Sequence, residues 1–201
     1  MYNSKRSLIP SIEFAENYIG KLPSNSRQAV LVFLSGLPGS GKSYLSNLIS
    51  LRIPIIHIES DSIRKILFSN PKYTRIENQQ VFQFCHSLID ELLVKSYPVL
   101  FDATNLIEEH REYLYGLAAR NNAKLKILKV TAPENVIFNR LIHRERFLDS
   151  DKKNRSDAGW KIYKRMIRLE EPIQRVHSVV DTSNDIDTIA AQMASEIGLY
   201  L

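Results

Sequence analysis

Five short apolar runs alternate along the chain with longer segments in which apolar residues recur every three or four positions. The runs are rich in β-branched residues and are bounded by polar ones, which predicts buried parallel strands. The predicted strands span 29–35, 55–59, 98–102, 125–131 and 176–181. The segments between and after them predict amphipathic helices at 42–51, 61–68, 76–96, 107–121, 133–146, 157–171 and 185–198. This alternation predicts an α/β fold, a three-layer α/β/α sandwich around a central five-stranded parallel sheet.

The first 28 residues precede this alternation and are mostly polar. Within them, residues 12–19 have helical spacing and are followed by a glycine, which indicates one short amphipathic helix. We therefore expect residues 1–28 to form a helical extension beside the core. Residues 29–201 then form one domain, a size ordinary for a single core.

Composition excludes some classes of protein. The longest apolar run has six residues, 29–34, far fewer than the roughly 20 that a membrane helix needs. No apolar signal core follows the N-terminus, so we expect a cytoplasmic protein without a membrane partner. Cys85 is the only cysteine, which excludes an internal disulfide and favours a place in the core. The net charge of +5 favours anionic partners only weakly.

A glycine-rich loop between the first strand and the following helix carries the clearest chemistry. The segment Gly36–Ser43 matches G-x-x-x-x-G-K-[ST] at every fixed position. Its backbone N–H groups can surround phosphates, Lys42 can reach the β- and γ-phosphates, and Ser43 can ligate Mg²⁺. A chance glycine-rich turn is the alternative. The predicted nucleotide-binding residues are Gly36, Leu37, Pro38, Gly39, Ser40, Gly41, Lys42, Ser43 and Tyr44.

An aspartate and an arginine follow the second predicted strand. Ligands of parallel α/β sheets bind at the carboxyl ends of the strands, where Asp61 falls. A carboxylate there can accept the proton of an attacking hydroxyl, and Arg64, one helical turn later, can hold an anionic acceptor. The alternative is that Ser60 and Asp61 merely cap the helix.

The third predicted strand also ends in polar residues. Apolar residues closing on Asp102 have the form of a Walker B strand, whose carboxylate holds Mg²⁺. Thr104 and Asn105 are predicted either to bind the acceptor or to cap the next helix, and Asp102 is alternatively a turn residue. Arg111 is predicted at the acceptor, with a solvated arginine or a surface ion pair as the equal alternative.

Basic residues crowd into the segment at about 140–160, which we interpret as a helical arginine lid. Arg140 and Arg144 are four residues apart and share a helix face. A cationic lid stabilises charge that spreads over the phosphoryl oxygens during transfer. Arg155 is a third candidate. A solvated basic helix, or one paired with Asp149 and Asp151, is the alternative.

Together these motifs resemble the P-loop kinases of the polynucleotide kinase and zeta-toxin-like group, over about residues 29–180. The matching blocks are Gly36–Ser43, Asp61 with Arg64, Asp102–Asn105 with Arg111, Arg140 with Arg144, Ser156–Ala158, and Tyr163. The resemblance implies that Asp61 is the general base and that Arg64 positions an acceptor phosphate. It further implies that the two lid arginines contact the phosphates of ATP.

The sequence leaves the identity of the phosphoryl acceptor open. The basic residues Lys65, Lys72 and Arg75 favour a nucleic-acid 5′-hydroxyl as the acceptor. Tyr73 could stack on a base of a single strand, with an ordinary surface position as the alternative. A small-molecule kinase acting on a nucleoside, sugar or nucleotide sugar is the alternative, and an ATP-binding regulatory protein is the second. A GTPase is disfavoured because Asn-Lys-x-Asp is absent, and an AAA-type motor because no C-terminal helical domain follows. Residues 180–183 are predicted at the adenine edge.

Overall fold

The computed structural model describes residues 9–146 and 159–201. Five strands form one parallel sheet: β1 Val30–Ser35, β2 Ile56–Glu59, β3 Pro98–Asp102, β4 Lys124–Thr131 and β5 Ser178–Asp181. The helices are α1 Ile12–Tyr18, α2 Lys42–Ser50, α3 Ser60–Leu67, α4 Arg75–Val94, α5 Glu108–Arg120, α6 Glu134–Arg146, α7 Trp160–Met166 and α8 Ile186–Gly198. A 3₁₀ turn, Ile167–Leu169, continues α7.

The strand order is β2-β3-β1-β4-β5, so β1 lies at the centre between β3 and β4. The chain moves from β1 to one side of the sheet and later returns to the other, which makes the carboxyl end of β1 a switch point. Clefts at such points are where open α/β sheets bind ligands. The register pairs Glu59 with Asp102, which brings the ends of β2 and β3 to the same edge.

Side chains of β1 alternate between two buried clusters on the two faces of the sheet. Leu31 and Phe33 join the cluster under α1, α3, α4 and α5, while Val32 and Leu34 join the cluster under α2 and α8. Both faces are therefore covered, as a parallel sheet requires. The predicted three-layer α/β/α fold with five parallel strands is confirmed.

A third apolar cluster lies above the carboxyl edge, where it joins α6 and α7 to the glycine loop. Its buried members are Leu37, Leu106, Ile137, Leu141 and Tyr163. The loops at the mouth of the sheet thus have a small core of their own, and its members come from the glycine loop, α6, α7 and the loop after β3.

The one marked departure from the predicted elements concerns the helix expected at 157–171. Within the described residues α7 ends at Met166, and the chain passes through a 3₁₀ turn into extended backbone at Glu170. Pro172 disfavours helical backbone at Glu171, so it argues against the predicted end at 171, while the earlier end at Met166 has no explanation in that proline. Residues 157 and 158 lie outside the described part of the chain.

Helix α1 packs against α4 through Phe14, whose ring lies 4.8 Å from that of Phe84. The boundary of the extension at residue 28 stays a prediction. Cys85 is buried in α4, as expected, and burial raises the pKa of its thiol to about 12, so it is an unreactive part of the core. In residues 9–146 and 159–201 no helix is both long and apolar enough to cross a membrane.

Candidate active site

The glycine loop connects the buried end of β1 to the first residue of α2. Gly41 is the N-cap of α2 and has φ 95°, and Gly39 has φ 81°, both in the region that favours glycine. The N-terminus of α2 therefore faces the cradle with its unpaired N–H groups. A Cβ atom on Gly41 would lie 2.8 Å from Thr182 Oγ1, so the loop and the β5–α8 turn are in close contact.

We predict that Gly36→Ala destabilises the fold and weakens nucleotide binding, because the added Cβ would lie 2.3 Å from the backbone oxygen of Val130. Such overpacking costs about 1–3 kcal/mol. Gly116→Ala in α5 is the matched control, since its Cβ meets nothing within 4 Å and helix propensity favours alanine by about 0.5–1 kcal/mol. Thermal unfolding should show opposite shifts in Tm. A Gly36→Ala protein as stable as wild type would contradict the packing.

The interior of the loop fits a triphosphate. Ser40 is buried, and its Oγ has no hydrogen-bond partner among the described residues, which leaves a donor for a phosphate oxygen. Lys42 Nζ donates to Leu37 O at 2.9 Å, a bond that folds the side chain back over the loop. Ser43 is half-buried in the first turn of α2, whereas Tyr44 is 54% exposed. ATP is held in this way by P-loops in general.

Lys42 lies at the electrostatic centre of the site. Burial lowers the pKa of Lys42, while the carboxylates of Asp102 and Asp61 act to raise it and Arg144 acts to lower it. Asp102, Asp61 and Arg144 are thus all within electrostatic range of the same ammonium group. The residues predicted from three separate motifs therefore converge here.

Asp61 lies inside the first turn of α3 and does not cap it. The N-cap position is Glu59, and no side chain makes a capping hydrogen bond there. The capping explanation for Asp61 therefore has no support in the geometry. The side chain is 34% exposed, and burial raises the pKa of Asp61 despite the opposing effect of Arg64. A partly shielded carboxylate with a raised pKa has the character of a general base.

Arg64 is 4% exposed, and its guanidinium is held on one edge and one face. Nη2 donates to Asn78 Oδ1 at 2.8 Å, and the ring of Tyr73 lies 4.6 Å from the guanidinium carbon. Nε lies 3.8 Å from Asp61 Oδ1, too far for a hydrogen bond. Among the described residues Nε and Nη1 have no hydrogen-bond partner. Two buried charged donors are thus available beside Asp61. Tyr73, predicted to stack on a base, stacks on Arg64.

Asp102, the last residue of β3, is 3% exposed and has a firmly held carboxylate. Oδ2 accepts a hydrogen bond from Ser46 Oγ at 3.1 Å and lies 4.0 Å from His57 Nε2. Burial lowers the pKa of His57. The described residues contain no group of three acidic, histidine or cysteine side chains that would hold a metal alone. Asp102 with Ser43 suits Mg²⁺, which proteins commonly bind through one or two side chains together with substrate phosphates.

The polar residues after β3 have a different placement from the one predicted. Asn105 is buried with φ 44°, and its Nδ2 donates to Leu34 O at 2.7 Å. Arg111 is 0% exposed, and its guanidinium donates to the backbone oxygens of Asn105, Glu171 and Pro172. Both predictions of acceptor contact are therefore corrected: these side chains hold the loop from beneath. Thr104 is half-buried at the edge of the site and is retained as a candidate.

Helix α6 carries the two predicted lid arginines to the mouth of the site. Arg140 donates to Thr182 Oγ1 and Thr182 O at 2.8 Å each, and to Gly39 O at 3.4 Å. It thus lies where the loop meets the β5–α8 turn, the predicted adenine edge. Burial, and then Arg140, lower the pKa of Arg144, which also influences Lys42. Arg155, with the rest of residues 147–158, lies outside the described part of the chain.

Three residues near the site were not predicted. Ser46 holds Asp102, Asn78 holds Arg64, and Glu170 is within electrostatic range of Lys42 while its carboxylate lies 3.5 Å from Lys129 Nζ. Of these three, only Ser46 could have been predicted from the sequence, because it lies one helical turn after Ser43 and is therefore on the same face of α2. The other two depend on how distant segments pack.

The family model described as "AAA domain" matches residues 31–172. That description names a domain and not a motor activity. The match begins in β1 and ends just after α7, so it includes the glycine loop, both aspartates and α6.

Three solved structures illustrate the fold. A protein from Chloroflexus aurantiacus j-10-fl has a TM-score of 0.70 and 13% identity, covering 87% of this chain and all of that one. The Mycobacterium tuberculosis APS kinase CysC in complex with AMPPNP and APS has a TM-score of 0.59 and 17% identity, covering 85% and 98%. A gluconokinase from Sinorhizobium meliloti 1021 has 0.59 and 19%, covering 88% and 94%. At these identities the likeness shows the fold.

Proposed function

The chain belongs to the AAA domain family, and from this membership and the site geometry we propose that it is an ATP-dependent kinase with a hydroxyl acceptor. One observation carries the proposal: Asp61 and Arg64 lie side by side directly after β2, whose last residue is in register with Asp102, and Lys42 is within electrostatic range of both aspartates. A protein that only binds a nucleotide needs the P-loop lysine, Lys42, and has no need of a base or an acceptor-binding arginine beside it. A base and a buried arginine beside it supply an acceptor half as well.

The donor half consists of the glycine loop and its immediate neighbours. Gly36–Lys42 would surround the phosphates, and Arg140 at the Gly39–Thr182 junction would meet the nucleotide at its outer edge. Mg²⁺, when bound, neutralises phosphate charge, and Ser43 and Asp102 would hold it. Arg144 would bring a second cation to the transferring group.

Asp61 is the general base of the proposed phosphoryl transfer. Its carboxylate accepts the proton of the acceptor hydroxyl, whose oxygen bonds to the γ-phosphorus. The bond from that phosphorus to the β–γ bridging oxygen breaks, and ADP leaves. Lys42 and Arg144 balance the charge that spreads over the phosphoryl oxygens. Arg64 fixes the acceptor, so that its hydroxyl lies within reach of Asp61.

We further propose that the acceptor carries an anionic group near its hydroxyl. Nε and Nη1 of Arg64 are buried without hydrogen-bond partners in the described part of the chain, and such donors pair best with an oxyanion. A nucleic-acid 5′-hydroxyl is favoured, because exposed Lys65, Lys72 and Arg75 lie on the same α3–α4 corner and suit a phosphate backbone. A nucleotide sugar or another small anionic acceptor is the second candidate, supported by the same two donors.

The test is incubation with γ-labelled ATP, Mg²⁺ and a panel of 5′-hydroxyl DNA and RNA oligonucleotides, nucleosides, sugars and nucleotide sugars. We expect labelled oligonucleotide, with a yield that falls steeply between 50 and 200 mM salt. Label on a small acceptor only would replace the nucleic-acid proposal. No labelled ester with any hydroxyl compound would count against the kinase.

Arg64→Lys should raise KM for an anionic acceptor about 10–100-fold, because Lys provides no planar pair of donors at Nε and Nη1. KM for ATP should change little. Arg120→Lys, at an exposed site in the last turn of α5 where the side chain pairs with Asp90, is the control and should leave both constants near wild type. An equal loss with an uncharged analogue of the acceptor would contradict the assignment of Arg64 to an anion.

A further inference from the structure

Arg111 is the largest of the fully buried side chains in the described residues, and its guanidinium joins two stretches of backbone. Nη1 donates to Asn105 O at 2.8 Å, and Nη2 donates to Glu171 O at 2.9 Å and Pro172 O at 2.8 Å. Nε pairs with the carboxylate of Glu108. Because these donors are all paired with fixed acceptors, the surrounding groups determine the position of the buried guanidinium.

One side of this network leads to the glycine loop. Asn105 O also accepts a hydrogen bond from Ser35 Oγ at 2.9 Å, and Thr104 O accepts one from Gly36 N at 3.0 Å. The loop that follows Asp102 is thereby tied to the first residue of the phosphate cradle. Arg111 holds that loop from the opposite side.

On its other side, the network contacts residues 170–172, the segment that follows α7 and the 3₁₀ turn. Glu171 N donates to Leu106 O at 2.9 Å, and Glu171 Oε2 accepts from Glu108 N at 2.6 Å. The preceding residue, Glu170, influences Lys42 and pairs with Lys129. Through the 3₁₀ turn this segment continues directly from α7, whose Tyr163 packs in the cluster above the glycine loop.

We propose that Arg111 is a positioning residue that fastens residues 170–172, the segment that follows α7 and its 3₁₀ turn, to the loop after Asp102. The proposal rests on the kinase function proposed above. Three donors of the rigid, planar guanidinium hold the two loops in a fixed relation, and the fourth pairs with Glu108 of the same helix. Arg111 therefore fixes the position of α7 and its contacts with the glycine loop, and it touches no substrate.

This position has consequences that an acceptor-binding arginine would not have. Loss of an acceptor contact raises the acceptor KM with kcat preserved, because uniform binding is lost. Loss of the fastening misplaces the groups around the phosphates and lowers kcat, by about 10²-fold for a shift of about 1 Å. The two roles thus separate in the steady-state constants.

Trp160 supplies a readout that does not depend on activity. It is the only tryptophan of the chain and opens α7, where it stacks on Tyr163 at 4.7 Å and meets Phe138 edge-on at 4.9 Å. If α7 loses its anchor, the indole becomes more accessible. Acrylamide quenching of its fluorescence measures this directly.

The experiment compares full-length wild type with Arg111→Met, Arg111→Lys and Glu108→Gln. Arg120→Met is the control, because Arg120 is on the same helix but pairs with Asp90 at the surface. Both Arg111 variants should raise the quenching constant of Trp160 about twofold or more and lower kcat about tenfold or more, with the acceptor KM changed less than about threefold. Glu108→Gln keeps the shape of its side chain and should change both readouts in the same direction by less. Arg120→Met should change neither.

The results of this experiment distinguish the proposed role of Arg111 from the proposed kinase function. Unchanged Trp160 quenching in folded Arg111→Lys and Glu108→Gln overturns the fastening role, as does a rise in acceptor KM with kcat intact. If Arg111→Met fails to fold, the two milder variants decide the matter. If wild type transfers no phosphoryl group, the kinase proposal fails while the quenching comparison still tests Arg111.

Discussion

Asp61→Asn is expected to abolish phosphoryl transfer and to leave ATP binding intact. The asparagine keeps the shape of the side chain but takes no proton, and loss of a general base lowers kcat about 10²–10⁴-fold. ATP affinity should be retained, because Asp61 lies on the acceptor side of Lys42, beside Arg64. Equilibrium binding of a labelled non-hydrolysable ATP analogue and steady-state turnover measure the two effects. Wild-type turnover in this variant would remove Asp61 from the mechanism.

The same substitution should stabilise the fold at neutral pH. Burial raises the pKa of Asp61 above its ordinary value, so the folded state holds the protonated form more readily than the unfolded chain does. The stability from this group is complete below the ordinary pKa and is lost as pH rises through the raised one. Asp61→Asn removes the penalty and should raise Tm at pH 7.

Asp90→Asn is the control of opposite sign. A hydrogen bond from Arg120 is the main reason that the pKa of Asp90 is lowered. Its stabilisation is therefore present above the ordinary pKa and is lost as pH falls through the lowered one. The variant should lower Tm at pH 7. If Asp61→Asn also lowered Tm, the carboxylate would not be in the desolvated position that the structure gives it.

Lys42→Met is expected to cause the second large loss, lowering kcat about 10²–10³-fold, as removal of one preorganised charge from a transition state does. Affinity for ATP should fall as well, since the ammonium meets the phosphates in the ground state. Because burial lowers the pKa of Lys42, its charged form is disfavoured in the fold, and the apolar variant should unfold at a higher temperature.

Lys126→Met is the matched control for this variant. Lys126 is also on the sheet, in β4, but it pairs with Glu196 at 2.7 Å away from the cradle. Its loss should leave kcat and ATP affinity near wild type. Equal activity of Lys42→Met and Lys126→Met would contradict the placement of Lys42 at the transferring group.

Much of the fold was predictable because its signals are local. The apolar runs and helical spacing identify all five strands, since strands buried on both faces read as continuous apolar segments. The order of motifs also placed Asp61 and Asp102 at the same edge, because parallel strands end together. The helix at 157–171 was predicted too long, since apolar spacing continues through the 3₁₀ turn at Ile167–Leu169 and does not distinguish it from the α-helix.

The errors within the site have a different cause. Arg111 follows Asp102 by nine positions on a helix, and nothing in that spacing distinguishes an arginine that reaches a substrate from one that holds loops. The distinction depends on Glu171 and Pro172, about 60 residues later. Arg140 likewise meets Thr182 across 42 residues. Contacts between segments so far apart follow from tertiary packing, which local pattern does not encode.

The most direct test of kinase activity is the molar ratio of ADP to labelled ester formed during turnover with γ-labelled ATP. Wild type should make one labelled phosphate ester for each ADP in the presence of an anionic hydroxyl acceptor, and Asp61→Asn should make neither at a comparable rate. ADP released with inorganic phosphate at the same rate with and without every acceptor would contradict it, because that result describes a nucleotide hydrolase and not a kinase.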